Sequence, residues 1–251
     1  MKNAHDILEK LATGKEFRAY RFNWSPSRKR FSSISTASVF FIHVMLDKLR
    51  KGEGSWTAAE HFVTNQFPNE TIWDEIKATH LNSLTSICLK GNNGGPYAVY
   101  LYTNKFPEDL KKNAKIMVSD YGSDPRNIWN VTPENVELIY TRFMKFHGIA
   151  DALAKMAQFE LVRDYGVAGS KESKQYLKAK PDIHVSKVLY RMGLSQNETP
   201  RSAVNCIEKA NVSSQADLDA VLFKVGHNFC LKSKPLCDEC PLKAYCDKKL
   251  K

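Results

Sequence analysis

Apolar residues recur along most of this chain at intervals of three and four, the spacing of helices that bury one face. Residues 4–12 place Ile7, Leu8 and Leu11 on one side. A second helix is predicted over 37–50, with Ser35 as its cap and Val39, Phe40, Phe41, Val44, Met45 and Leu49 as its apolar positions. Gly52 and Gly54 end it, and a short helix over 56–64 follows. Asn69 or Glu70 begins a segment with Ile72, Trp73, Ile76 and Leu81 inward, and the run from Gly91 to Pro96 breaks the chain. Pro107 opens a helix through Lys111 and Met117, and Asp124, Pro125 and Arg126 lead into Trp129. Thr132 followed by Pro133 pairs a capping hydroxyl with a proline at the first helical position, so a helix is expected from there to Lys145. Another spans 150–164 and stops near Gly166. The lysine-rich stretch 166–181 is predicted as a polar linker. Asp182 opens a helix to Arg191, Gly193 stops it, and two more follow at 199–210 and 214–226. No internal repeat and no alternating strand pattern is present, so the expected class is all-α.

Composition narrows the partners more than the fold. The 251 residues carry a formal charge of +10, which suits a polyanion such as nucleic acid or an anionic surface. No apolar run is long enough to span a bilayer, and the opening MKNAHDILEKLATG lacks the order of a signal peptide. The expected protein is therefore a monomer off the membrane, in a reducing cytoplasmic compartment, nucleoid-associated in a prokaryote. From Phe17 to Arg30 aromatic and basic side chains alternate, a pattern that can stack on bases and pair with phosphates. The same pattern fits an irregular segment pinned to a core by its rings, and both readings stand.

Candidate chemistry begins at the C-terminus, where Cys230, Cys237, Cys240 and Cys246 are spaced C-x6-C-x2-C-x5-C. Four thiolates so close together can wrap one soft metal centre, and zinc would fit them as well as iron. Disulfides suit a reducing compartment poorly. Cys88 and Cys206 lie apart and read as buried small hydrophobes. The spacing resembles that of the endonuclease III and MutY family of helix-hairpin-helix DNA glycosylases, whose four cysteines hold a [4Fe-4S] cluster beside a basic loop. That resemblance implies a [4Fe-4S] cofactor on these cysteines, with a structural role.

The resemblance extends to Phe146, His147, Gly148, Ile149 and Ala150, a join short enough for a tight reversal between two helices. On the residues alone this is an αα-corner or a phosphate seat built from backbone N–H groups. Family members carry a Leu-Pro-Gly-Val-Gly type turn here; this chain keeps the first glycine as Gly148, has Ala150 for the second and has His147 for the proline. The bifunctional members place an amine nucleophile where Ala152 stands, and an alanine methyl can form no Schiff base. Lys155, one turn further along, reads as a partly solvated helix lysine.

Asp182 matches the family's catalytic aspartate and is also a competent helix cap after a proline. The resemblance implies that it supports an oxocarbenium-like sugar and orients a water. His184, two residues on, is expected on the DNA-binding side, holding the segment in place. In relatives the far end of the 37–50 helix carries a glutamine that wedges into the gap left by a flipped base; Lys48 stands near that place. The implied architecture is two helical lobes with a positive groove between them. One lobe covers 33–150; the other joins 1–32 to 165–251; the 150–164 helix links them. The implied activity is a monofunctional DNA glycosylase on double-stranded DNA. A non-catalytic DNA-binding protein with this fold, a bifunctional glycosylase with a relocated lysine, and a zinc-stapled adaptor remain as alternatives.

Overall fold

The computed structural model describes residues 3–47, 53–90 and 105–248. Among these there is no strand, and the helices run in chain order as α1 (Ala4–Thr13), α2 (Ile34–Asp47), α3 (Glu53–Gln66), α4 (Ile72–Ala78), α5 (Leu81–Lys90) and α6 (Lys105–Tyr121). They continue as α7 (Glu137–Phe143), α8 (Asp151–Tyr165), α9 (Ser170–Ser173), α10 (Ile183–Arg191), α11 (Pro200–Ala210) and α12 (Gln215–Asn228). The chain divides into two units, Ser27–Ala168 and Met1–Pro26 with Gly169–Lys251. The break expected at Gly91–Pro96 and the wedge position Lys48 lie outside the described residues.

In the Ser27–Ala168 unit α2 is the axis. Every residue from Ala37 to Leu46 is buried, and a helix apolar on nearly all sides can be satisfied only from all sides. Phe41 meets Trp73 and Phe146 edge-on at 5.2 and 4.7 Å, and Phe40 meets Trp129 at 5.7 Å. Trp73 donates its indole N–H to Ser38 Oγ at 2.9 Å, so the one polar atom of that ring is not orphaned. The cap of α2 is Ser33, whose Oγ accepts from the Thr36 N–H at 3.1 Å; Ser35 lies one residue inside the helix. The boundary at Thr132 is real but leads first into a 3-10 turn, Pro133–Asn135. Val136 and Ile139 donate to carbonyls three residues back, and α7 begins only at Glu137.

The other unit is organised around α12, packed on α10 and α1. Its core gathers Leu8, Leu11, Phe17, Val185, Leu189, Ile207, Val221, Leu222 and Val225. Here the stretch 166–181 corrects the expectation of a solvated linker. It carries α9 and a 3-10 turn, Lys174–Tyr176, and Ser173, Leu177 and Ala179 are buried. Its lysines hid this from the sequence, because Lys174 and Lys180 spend their charge on Asp217 and Asp219 of α12 rather than on water.

Candidate functional site

The turn between α7 and α8 is a tight reversal. Gly148 sits at φ +80°, a conformation strained for any residue with a Cβ, and a Cβ there would lie 3.1 Å from Asp109 Oδ2. Asn113 of α6, fully buried, holds the turn with one amide: its Nδ2 donates to the His147 carbonyl at 2.9 Å and its Oδ1 accepts from the His147 N–H at 2.7 Å. Phe146 and Ile149 are buried anchors, while His147 and Ala150 are exposed. Ala150 is the N-cap of α8 and offers no side-chain bond, so the first N–H groups of that helix keep their outward donors. The first turn is therefore compatible with an anion, whereas Asp109 backs Gly148 from the buried side.

Ala152 is exposed. Lys155 is not the partly solvated lysine expected from the pattern. It is buried to 5% exposure, pairs with Glu137 Oε1 at 2.5 Å, donates to Gln158 Oε1 at 3.3 Å, and lies over the Tyr140 ring at 4.1 Å. An ammonium held this way is a poor nucleophile, because it must break a close ion pair before it can lose a proton.

Asp182 caps α10. A single oxygen, Oδ1, accepts from the N–H groups of His184 at 2.6 Å and Val185 at 3.1 Å. No described hydrogen bond falls on Oδ2, and the residue is half-buried. One oxygen therefore fixes the carboxylate while the other can face a reactant. His184 packs against Phe223 and His227, with ring centroids 5.6 and 5.5 Å away, and its Nδ1 is buried without a hydrogen-bond partner. The backbone at His184 also lies close to α12: a Cβ on Gly226 would meet the His184 carbonyl oxygen at 2.6 Å.

The aromatic and basic stretch divides between its two readings. Phe17 and Trp24 are core anchors, and Trp24 donates to Asp217 Oδ1 at 3.0 Å. Further on, Arg28, Arg30, Phe31, Trp56 and Tyr165 line an open cavity of about 350 Å³. Its cations are not idle: Arg28 lies over the Trp56 ring at 4.9 Å and donates to Tyr165 Oη, and Arg30 donates to the Gly166 carbonyl.

The cysteines require a correction. Cys230, Cys237, Cys240 and Cys246 line one cavity with Arg191 and Phe229, but among the described residues no group of three or more His, Cys, Asp or Glu side chains is placed to hold a metal ion. The [4Fe-4S] cluster implied by the family resemblance, and the iron–sulfur and metal-binding roles attached to it, do not carry over to these residues. None of the four is in a disulfide. Arg191 donates to Cys230 Sγ at 3.4 Å, Cys246 Sγ donates to the Arg191 carbonyl at 3.4 Å, and the Lys248 N–H donates to Cys246 Sγ at 3.3 Å. Burial, with the neighbouring cysteines adding to it, pushes the Cys240 thiol above its usual range. Cys230, Cys240 and Cys246 pack as half-buried small groups at the edge of the core. Spacing alone could not separate these roles, since chelation depends on where the sulfur atoms point.

Three residues that bear on the candidate site were not singled out in the sequence: Asn113, Glu137 and Asp219. Only Asp219 left a signal, as a charge beside Leu218, Val221 and Leu222 in an otherwise apolar run.

No family model matches the chain, and no curated protein matches it. Solved structures do. A thermostable thymine-DNA glycosylase is 16% identical with a TM-score of 0.56, over 98% of this chain and 96% of that one. A non-covalent endonuclease III–DNA complex is 14% identical with a TM-score of 0.57, over 99% and 97%. A trapped endonuclease III–DNA covalent intermediate, an estranged-adenine complex, is 12% identical with a TM-score of 0.52, over 98% and 93%. Across nearly the full length of each chain the likeness is one of fold: this protein is all-α, two-lobed and helix-hairpin-helix glycosylase-like.

Proposed function

We propose that this protein is a monofunctional DNA glycosylase that hydrolyses the N-glycosidic bond of a damaged, modified or mispaired base in double-stranded DNA. The observation that carries the proposal is the carboxylate of Asp182, fixed through Oδ1 at the start of α10 with Oδ2 left for a reactant. The fold likeness to proteins described as glycosylases and as endonuclease III supports it, as do the net charge of +10 and the outward donors at the hairpin.

As the bond from C1′ to the base nitrogen breaks, its electron pair leaves with the base and positive charge develops on the sugar. An ionised carboxylate beside C1′ stabilises that charge and aligns a water, whose oxygen completes the bond to C1′ while its proton passes to the carboxylate. The reacting nucleotide must first leave the duplex stack. Hydrolysis rather than β-elimination is supported by Ala152, which has no amine, and by Lys155, whose ammonium is paired with Glu137. The hairpin, through Gly148 and the first N–H groups of α8, would hold one backbone phosphate.

The test is base release from duplexes carrying oxidised, deaminated, alkylated or mismatched bases. Abasic sites that break only after alkali or heat are expected, with little borohydride-trapped complex. Binding should weaken steeply with salt. Strong trapping would replace hydrolysis by amine chemistry. Tight duplex binding without release from any of these substrates would leave a non-catalytic DNA-binding protein.

A further inference from the structure

Asp219 lies in α12 with 0% of its surface exposed. A carboxylate so completely removed from water is costly unless it is paired and hydrogen-bonded. Its partner is Lys180, engaged twice. The Lys180 ammonium lies 3.1 Å from Oδ2, an ion pair that leaves Oδ2 without a hydrogen bond, and the Lys180 backbone N–H donates to Oδ1 at 3.4 Å. The lysine side chain is itself only 15% exposed and passes over the Phe223 ring at 4.6 Å. One residue earlier, the Ala179 N–H donates to Gln215 Oε1 of the same helix at 3.1 Å.

Lys180 is joined to Asp182 by Pro181 alone. A proline fixes its own φ and confines the residue before it to extended conformations. The three residues therefore form a stiff strut. Its near end is tied to α12 by the buried pair, and its far end is tied to α10 by the two N–H bonds to Asp182 Oδ1.

Resting on the glycosylase reading above, we propose that Asp219 is a positioning residue for Asp182, acting through Lys180 and Pro181 to set the direction of the carboxylate at the start of α10. An apolar residue at 219 would fill the same space at no cost in desolvation, but it could not hold Lys180 by both its backbone and its side chain. Burial, opposed by Lys180 and reinforced by the charge of Asp182, pushes the Asp219 carboxyl upward, consistent with carboxylates close enough to sense each other.

The experiment compares the whole protein with Asp219→Asn and with the apolar double variant Lys180→Met/Asp219→Leu, which keeps the volume of the pair and provides a folded alternative if the single variant fails. Three quantities are measured: amide exchange at His184 and Val185, single-turnover base release, and duplex Kd. Both variants are expected to raise exchange at those two amides about tenfold, since their bonds depend on the aim of Asp182. Base release should fall about 30-fold while duplex Kd stays within roughly threefold, a loss confined to the chemical step. Unchanged exchange in a folded variant overturns the proposal, as does unchanged base release with faster exchange. If the wild type releases no base, the glycosylase reading fails, and the exchange arm alone then decides whether Asp219 aims Asp182. If neither variant folds, Asp219 is a folding requirement and the positioning role is withdrawn.

Discussion

Two turns carry the candidate chemistry, one in each unit, and they are held by opposite means. The hairpin at 146–150 is held by a neutral amide: Asn113 satisfies both the N–H and the carbonyl of His147, and Gly148 supplies the left-handed backbone. The 179–182 turn is held by ions, with Asp219 and Lys180 at one end and the Asp182 carboxylate at the other. The Asn113 amide does not titrate, although the Asp109 carboxyl lies behind Gly148. An ionic strut would make the geometry of Asp182 depend on protonation, and it places a compensated charge two residues from the carboxylate that the proposed mechanism uses.

The largest expected effect lies at the ionic turn. Asp182→Asn keeps a good helix cap but loses the charge, so base release should fall by roughly two or more orders of magnitude with thermal stability and duplex binding nearly unchanged. Normal release by this variant would remove the carboxylate from the mechanism. At the neutral turn, Gly148→Val should cost about 3 kcal/mol in chemical denaturation, from backbone strain and from the close approach to Asp109. Binding and stability therefore fall together at this position, and a stable variant that lost only binding would contradict the packing against Asp109.

Asn113→Ala should cost about 2 kcal/mol, because it strands a partly buried N–H and carbonyl and opens a small cavity. Urea titration would measure it, and amide exchange should localise the loosening to His147. The pH dependence comes from Asp219. Its carboxyl is raised by burial, so its contribution to stability is present below the ordinary aspartate value, near about 4, and is lost as pH rises through the raised folded value. Asp219→Asn should flatten that part of a stability–pH curve. The smallest effect is expected for Lys155→Met: within about 1 kcal/mol of wild type, because Glu137 is 43% exposed and can return to water. Base release should be unaltered, and a large loss would make Lys155 part of the chemistry.

Much of the helical order was legible from spacing because helix periodicity is local. Thr199 and Ser214 mark starts through their own side-chain oxygens, and Gly166 marks a stop through its left-handed backbone. Asp182 was legible as a cap for the same reason, since its partners are two and three residues away. The strongest motif misled. Four cysteines at C-x6-C-x2-C-x5-C announce a metal centre, but ligation requires sulfur atoms converging in space; among the described residues they form no metal-holding group, and Cys230, Cys240 and Cys246 pack against the core, Cys230 beside Arg191.

What the sequence determined by itself is whatever depends on neighbours within about one helical turn: most of the helices, the cap at Asp182, the glycine at the reversal and the basic excess. Only the tertiary structure decided which charges are spent. Lys155 lies 18 residues from Glu137, and Lys180 lies 39 residues from Asp219. Neither pairing leaves a periodic trace, because a lysine read alone belongs on the surface, and it can be buried only when a distant carboxylate is brought to it.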